Sequence, residues 1–360
     1  MAIPLILALG LAAAASAGSP APFNLVVMDL TSLSPGRLEP EFGFLTAPAA
    51  VFDAAVAPAD RPAPSLASLL TSEYAGAHGV LGPEMRLSTA PSVLPEILER
   101  AGYQTAAFEA GTIPAAGLAR GFGLWRDEPS AALAAKAARG WLAGMRGRSF
   151  FLLVRGGGAS DAAGLRALWK DLERGGLLSR TVVVLVAETG DAGPGGLGDG
   201  VLRVPFAVWA PGVRHHHVAR VVSAIAAAPT ALALLGLPLP LDFEGADLSA
   251  LVRGTASAAD DSGWAFSAAA STGPNPALTA YAVSDARWKL IDDRAAGEFR
   301  LIDLKNDRRE AADASEREPG RALELTQKLL RHIRETPAGP ERAGKVSPEM
   351  LRRLRVNGYW

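Results

Sequence analysis

Two carboxylate residues, each directly after an apolar run, are the side chains best placed for chemistry in this 360-residue chain. Asp29 follows the run 23–28, and Glu188 follows the β-branched run 181–187. Ligands of parallel sheets bind at the carboxyl ends of the strands, where both residues are expected to lie. Carboxylate oxygens suit hard cations such as calcium and magnesium. We interpret the pair as two solvated carboxylates on loops; the alternative is a weak cation site.

Three consecutive histidines, His215, His216 and His217, form a second candidate site. Imidazole is a ligand for transition metals. Consecutive residues in a strand point to opposite faces, however, so three in a row make a poor single site. We therefore interpret the three histidines as part of an exposed loop after Pro211 and Gly212.

The elements that must position Asp29 and Glu188 alternate between strands and helices. Apolar, β-forming runs predict strands at 23–28, 103–110, 149–154, 181–187 and 202–209. Helical patterns cover 65–71, 93–101, 130–145 and 162–178. This alternation predicts an α/β fold with a mostly parallel central sheet that has helices on both faces.

The composition changes after about residue 253, where an Ala-, Ser- and Asp-rich linker is predicted at 255–262. Four short strand-like runs follow, at 265–270, 278–283, 288–292 and 299–304. An amphipathic helix is predicted at 319–335 and a further helix in the stretch 347–360. This pattern predicts a small C-terminal antiparallel sheet with a helix.

The N-terminus is typical of an export signal. The apolar run 3–15 leads into Ala15-Ser16-Ala17, an A-x-A cleavage pattern. The run is shorter than the roughly 20 apolar residues of a membrane span. We therefore expect a signal peptide at 1–17 and an exported, periplasmic or extracellular protein with no membrane span after cleavage. The alternative is a buried first strand or helix. The mature chain then divides into an α/β domain at 22–253 and a sheet-and-helix subdomain at 262–360.

The composition excludes several classes of function. Hydrophobic residues make up 49% of the chain and charged residues 20%, which indicates a globular protein with a large core. The 36 basic and 37 acidic residues give a net charge of -1, so nothing indicates nucleic acid as a partner. The absence of cysteine excludes disulfides and thiolate metal sites.

Short motifs along the chain recur in an order that is typical of one family. They are 24–29 (NLVVMD), 64–71 (PSLASLLT), 78–80 (HGV), 94–106 (LPEILERAGYQTA), 176–187 (GLLSRTVVVLVA), 203–205 (RVP), 210–213 (APGV), 228–230 (APT), 287–291 (RWKLI) and 303–304 (DL). Together they resemble the sulfatases of the alkaline phosphatase superfamily over nearly all of the mature chain.

The resemblance implies covalent cleavage of sulfate or phosphate esters on a divalent cation, usually calcium. It places Asp29, Glu188 and Asp191 at metal-binding positions, and it places Pro62 at the position of the nucleophile. Proline has no nucleophilic atom. Of these positions, only Asp29 keeps the residue that the family has.

Other positions also depart from the family pattern. Leu66 and Ala77 stand where basic residues are expected, and Thr189 stands where a metal-binding His or Asn follows the acid. Arg155 ends its strand in place of a His, and glycines at 156–158 replace a Pro- and His-rich segment. The cationic support and most of the metal ligands of the family are therefore missing.

Ser65 and Ser68 are the hydroxyl side chains that could substitute as nucleophiles. Neither has a base that the sequence identifies, and the resemblance assigns Ser65 to capping its helix.

We therefore expect a sulfatase-like protein without catalysis that acts as an exported binding or scaffold module. Its partner would be a sulfated or phosphorylated glycan or a small ester; the sequence names no protein partner. No cofactor is expected beyond weak calcium or magnesium binding. The alternative is an active sulfuric or phosphoric ester hydrolase with rearranged metal ligands and nucleophile, and a third is a structural partner of an active relative.

Overall fold

A computed structural model describes residues 23–83, 85–110, 117–191, 195–256, 263–273 and 275–336. Its strands are β1 (Asn24–Leu30), β2 (Ala50–Val56), β3 (Gln104–Ala110), β4 (Leu124–Glu128), β5 (Phe150–Gly156), β6 (Thr181–Ala187), β7 (Arg203–Trp209), β8 (His216–Ser223), β9 (Ala265–Ala270), β10 (Leu278–Ser284), β11 (Trp288–Asp293) and β12 (Glu298–Asp303). Its helices are α1 (Leu38–Thr46), α2 (Pro62–Thr71), α3 (Ala75–His78), α4 (Leu94–Arg100), α5 (Ala131–Leu142), α6 (Ala162–Arg174), α7 (Asp199–Leu202), α8 (Ala227–Leu235), α9 (Ser249–Val252) and α10 (Pro319–Glu335).

The first eight strands form one sheet in the order β4-β3-β5-β1-β6-β7-β2-β8. Seven of them run in the same direction, and β7 is antiparallel to both of its neighbours. Because these strands are parallel, β1, β3, β5 and β6 all end at the same edge of the sheet, which is where a ligand would bind.

The centre of the sheet is buried on both faces. Every residue of β1, β5 and β6 is buried, as expected for the continuous apolar run TVVVLVA of β6. Helix α6 contacts both α1 and α5, and helix α2 contacts both α4 and α8. Long apolar strands and amphipathic helices thus make one large core that fixes the positions of the strand ends.

Strands β9 to β12 form a second, antiparallel sheet, against which α10 packs. The buried face of α10 includes Leu325 and Leu329, which lie in one hydrophobic cluster with Val283, Leu290 and Leu301. Backbone and side-chain hydrogen bonds from β9 to residues 57–58 join this sheet to the main one. The main interior is therefore continuous with the C-terminal sheet along β9.

The predicted fold class is confirmed: a mostly parallel α/β sheet is followed by a small antiparallel sheet and its helix. The sequence analysis missed three strands, β2, β4 and β8. The prediction of a loop at the three histidines was wrong, because His216 and His217 begin β8, which pairs with β2 as an edge strand. The edge position explains the error, since β8 is continuously buried only over its last three residues.

The signal peptide, most of the linker at 255–262 and the helix predicted in 347–360 lie outside the described residues, so these predictions and the domain boundaries drawn from them stay predictions. In the part of the chain that the structure describes, no helix has the length and apolarity needed to cross a membrane.

Candidate functional site

Four charged side chains meet where four adjacent strands of the main sheet end. Asp29 lies in β1, Glu109 in β3 and Arg155 in β5, and Glu188 directly follows β6. The strand register pairs Arg155 with both Asp29 and Glu109. All four residues are at most 3% exposed, so the reading of Asp29 and Glu188 as solvated carboxylates is wrong. We call these four residues the strand-end cluster.

Arg155 is the centre of the strand-end cluster. Its Nε lies 2.6 Å from Oε1 of Glu188, and its terminal nitrogen Nη2 donates to Oε2 of Glu188 at 2.9 Å. The other terminal nitrogen is 3.5 Å from Oε2 of Glu109, and Nε is 3.8 Å from Oδ2 of Asp29. The planar guanidinium therefore forms a two-pronged pair with one carboxylate and faces two more, an arrangement that suits arginine better than lysine.

The electrostatics of the strand-end cluster follow from its burial. Burial, and then the negative charge of Glu188, raises the pKa of Asp29 well above its ordinary value. Burial, with help from Asp127, raises the pKa of Glu109 to about 8. Burial opposes the charge on Arg155, but Glu188 and then Asp29 and Glu109 outweigh it and raise the pKa of the guanidinium. Near neutral pH, Asp29 and Glu109 thus favour the protonated form beside the two-pronged contact of Arg155 with Glu188.

Asp191 lies on the loop after β6 and binds Ser34 on the loop after β1. Its Oδ1 accepts from the backbone N–H of Ser34 at 2.8 Å, and its Oδ2 accepts from the hydroxyl of Ser34 at 2.6 Å. No hydrogen bond or ion pair among the described residues joins Asp191 to the strand-end cluster. The structure therefore brings Asp29 and Glu188 together, as the sequence analysis expected, but leaves Asp191 in a different role.

The loops around the strand-end cluster are fixed by their own contacts. The hydroxyl of Thr189 donates to the backbone carbonyl of Thr31 at 3.0 Å, so this residue ties the loops after β1 and β6 together. Gly158, with a φ of 147°, approaches the carbonyl of Ser32 so closely that a Cβ would lie 2.6 Å from that oxygen. Glycine at this position therefore lets the loop after β5 pack on the loop after β1.

These residues do not fit a divalent metal ion of the kind that the resemblance implies. Among the residues that the structure describes, no group of three or more His, Asp or Glu side chains is arranged to hold a metal. A positive guanidinium lies among the three carboxylates of the strand-end cluster and would repel a second cation. Hard-cation sites gather six to eight oxygen ligands, far more than Asp29 and Glu188 supply beside Arg155.

Pro62, where the resemblance places the nucleophile, lies at the start of α2. The helix begins at Pro62, preceded by Arg61 in an extended conformation. Proline is favoured at a first helical position because its missing N–H would have no partner in the helix and its fixed φ suits the turn. Leu66 lies one turn further on and is fully buried in the core. In the structure, Pro62 therefore serves the start of the helix and Leu66 serves the packing of the core.

Ser68 is the hydroxyl that the structure places beside a histidine. Its Oγ lies 2.9 Å from Nε2 of His78, and both side chains are buried. Nδ1 of His78 accepts from the backbone N–H of Val80 at 3.0 Å, so the ring proton is on Nε2, which donates to Ser68. Burial also lowers the pKa of His78 to about 3. The imidazole therefore cannot take the proton of Ser68 in this arrangement, and the pair is a structural contact.

Ser65 does not cap α2, contrary to the assignment from the resemblance. It lies inside the helix, and its hydroxyl donates to the carbonyl of Ala59 at 3.2 Å. The helix begins three residues earlier, at the proline. No base contacts Ser65 among the described hydrogen bonds.

The three histidines have separate partners. Nε2 of His216 lies 2.9 Å from the carbonyl of Leu251, whereas Nδ1 of His217 lies 2.7 Å from Oδ1 of Asp53. The ring of His215 is perpendicular to that of His217 at 5.2 Å and contacts backbone carbonyls through Nδ1. The hydrogen bond to Asp53 raises the pKa of His217. The residues alternate along a strand edge, as expected from the two-residue period of β structure, and do not converge on one site.

Glu109 is the member of the strand-end cluster that the sequence analysis missed. It is the last acidic residue of the predicted strand 103–110, so the same pattern that identified Asp29 was present. Arg155 was recognised as a departure from the family, but its role as partner of three carboxylates depends on the strand order β3-β5-β1-β6. That order cannot be read from the residues of any one strand.

The whole chain was compared with known proteins. Neither the protein-family profiles nor the curated protein sequences give a match. Solved structures match clearly. A protein bound to its substrate D-glucosamine-2-N,6-O-disulfate has a TM-score of 0.77 at 13% identity, covering 87% of this chain and 97% of its own.

Two further structures match equally well. A 2-O GAG sulfatase has a TM-score of 0.77 at 14% identity, covering 91% of this chain and 97% of its own. The phosphonate monoester hydrolase of Agrobacterium radiobacter has a TM-score of 0.76 at 15% identity, covering 88% of this chain and 96% of its own. At such low identity, these matches establish the shared fold and leave the activity of this chain open.

Proposed function

We propose that this chain, which has the fold of sulfatases and phosphonate monoester hydrolases, is a sulfatase-like protein without ester hydrolase activity. It acts after export as a binding or scaffold module for a sulfated or phosphorylated glycan. The observation that carries the proposal is Pro62 at the first position of α2, where the resemblance places the nucleophile. A nucleophilic mechanism needs an atom that can attack sulfur or phosphorus, and the proline ring has none.

The surroundings of Pro62 offer no replacement in the contacts that the structure describes. Ser65 donates to a backbone carbonyl, and Ser68 accepts from His78. Activation of a serine requires the reverse polarity, with the imidazole nitrogen accepting the hydroxyl proton. A nucleophile and its base work as one unit, so the absence of either is enough to abolish the reaction. Both absences therefore support the proposal that the protein is inactive.

The strand-end cluster supports the proposal independently. In the family that the chain resembles, a divalent cation polarises the transferred group and activates the nucleophile. Here the Arg155 guanidinium pairs with Glu188 and faces Asp29 and Glu109. A buried guanidinium bound in this way can neutralise carboxylates, but it has no open coordination position for a substrate oxygen.

A cavity of about 290 Å³ between the two sheets offers a place for a ligand. Its lining includes Tyr74, Trp264 and Phe266 together with the carboxylates of Glu244 and Glu335. Aromatic walls with a few polar groups are typical of small-molecule sites. Arg220 also lines the cavity, so a cationic group lies there together with the two carboxylates.

The inactive proposal is tested by release of an aryl leaving group from nitrophenyl sulfate and nitrophenyl phosphate. Calcium, magnesium, manganese and zinc are each supplied in turn. We expect no turnover above background. Turnover above about 1 s⁻¹, the lower end of ordinary enzymes, that is lost in Asp29→Ala would overturn the proposal and favour a hydrolase with rearranged ligands and nucleophile.

The binding proposal is tested by calorimetry with a sulfated glycosaminoglycan disaccharide and its desulfated counterpart. We expect binding without turnover, and at least a tenfold loss of affinity, about 1.4 kcal/mol, in Trp264→Ala. Leu133→Ala is the matched control, since Leu133 is an exposed apolar residue that does not line the cavity. Absence of binding to both disaccharides would contradict the glycan proposal, and tight association with a second protein would favour the scaffold role.

A further inference from the structure

We propose that Arg155 is a built-in cation that keeps divalent metal ions out of the strand-end cluster, and that removing its charge opens a calcium or magnesium site there. This inference goes beyond the proposed function and does not depend on it. A wild-type chain that hydrolysed esters without added metal would overturn the proposed function and leave this inference intact.

The three carboxylates of the strand-end cluster lie around the Arg155 side chain. All three surround one guanidinium, at 2.6 Å for Glu188, 3.5 Å for Glu109 and 3.8 Å for Asp29. They stand at the ends of adjacent strands whose backbone is buried and paired, so they cannot move apart without disrupting the sheet. Three acidic groups are thus held around one small volume, and that volume now holds Arg155.

The buried carboxylates of the strand-end cluster need a counter-charge. A buried carboxylate is costly unless it is paired or coordinates a metal. Arg155 supplies the positive charge that makes the strand-end cluster compatible with a dry interior. Without it, the cluster has three acids at most 3% exposed and no cation, so it must take up protons or a metal ion.

Asp29 lies beside Glu188 and Arg155. It is fully buried, and neither of its side-chain oxygens accepts a hydrogen bond within the described structure. Nε of Arg155 lies 2.6 Å from an oxygen of Glu188 and 3.8 Å from an oxygen of Asp29. A calcium ion binds oxygen at about 2.3–2.6 Å, so an ion near the vacated Nε position would reach both residues with small side-chain rotations.

The experiment uses the full chain and the variant Arg155→Gln, whose amide oxygen adds a further ligand. Thermal unfolding is followed with EDTA and with about 10 mM calcium or magnesium, a concentration that occupies weak oxygen sites. We expect the melting temperature of the wild type to be the same in all three. We expect Arg155→Gln to be less stable in EDTA and to gain about 5 °C with calcium, the effect of a ligand at about a hundred times its dissociation constant.

Two further variants show whether the effect arises at this site. Arg155→Lys keeps the positive charge and should show no response to calcium. The double variant Arg155→Gln with Asp29→Asn should lose the response of the single variant, because a ligand oxygen that carries charge has been removed.

Two other outcomes contradict the inference. If calcium raises the melting temperature of the wild type, the wild type already has a metal site and Arg155 does not exclude the ion. Stabilisation of Arg155→Gln that persists in the double variant arises elsewhere. If Arg155→Gln does not fold in EDTA, recovery of native circular dichroism with calcium or magnesium supports the inference, and failure to recover with either cation overturns it.

Discussion

Glu109→Gln should stabilise this protein at neutral pH, although it removes a charged residue from a buried ion cluster. Burial raises the pKa of Glu109 in the folded chain from its ordinary 4.5 to about 8. Between these values, the folded state holds more protons than the unfolded state. The stability that protonated Glu109 contributes is therefore fully present below about pH 4.5. It is lost as the pH rises through 8.

The size of the effect follows from this window. Each pH unit inside it changes the free energy of unfolding by about 1.4 kcal/mol for one proton. Between pH 4.5 and pH 7, the wild type thus loses about 3 kcal/mol that a glutamine, which does not ionise, would keep. The amide also suits the site, because its oxygen can accept from Nε1 of Trp125, as Glu109 does at 3.2 Å, and its NH2 can donate towards Asp127.

The assay is urea denaturation of wild type and variant at several pH values from about 4 to 8. We expect equal stability at the acid end and an advantage for Glu109→Gln that grows with pH. Glu188→Gln is the matched control, since it removes the carboxylate that Arg155 binds at 2.6 and 2.9 Å and should cost about 3 kcal/mol near neutral pH. A Glu109→Gln variant that is less stable than wild type at pH 7, or a difference that does not change with pH, would refute the reasoning.

Four further predictions concern other parts of the chain. Lys289→Met should cost about 3–5 kcal/mol in chemical denaturation, because the fully buried lysine bridges two carboxylates at 2.6 and 2.8 Å. Arg174→Met, which removes the exposed ion pair of Arg174 with Asp171, should lower the free energy of unfolding by less than about 1 kcal/mol in the same assay. Pro62→Ser alone should show no hydrolysis of nitrophenyl sulfate or phosphate, because a hydroxyl without a metal to activate it stays a poor nucleophile; turnover in that single variant would contradict the account of the strand-end cluster. Mass spectrometry of the exported protein should find a mature start near Gly18, and an intact N-terminus on a membrane-bound form would contradict the predicted signal peptide.

The sequence was sufficient to predict the parts of the fold where one pattern dominates. The run TVVVLVA of β6 is apolar throughout, and in the structure it is buried at every position. The short strands after residue 264 and the amphipathic helix α10 were predicted with nearly the bounds observed, because turns and helical spacing mark them clearly. Asp29 and Glu188 were placed together for a related reason, since the ends of parallel strands share one edge.

The missed elements lack such a pattern. Strand β4 reads LWRDE and has no fully buried residue, so its identity comes from pairing with β3 and not from its own residues. The strand β8 begins with polar histidines because it lies at the sheet edge. Likewise, the meeting of Arg155 with Glu109 depends on the order of strands, and the polarity of the Ser68–His78 contact depends on a backbone N–H two residues beyond the histidine. These features are tertiary, and a single sequence carries no local signal for them.

The most direct test of this account is a crystal structure of the wild-type chain grown in the presence of calcium, with anomalous diffraction recorded. We expect the Arg155 guanidinium within hydrogen-bond distance of both carboxylate oxygens of Glu188, and no calcium peak in the strand-end cluster. A calcium peak bound by Asp29 and Glu188, with the Arg155 side chain turned away from them, would contradict it.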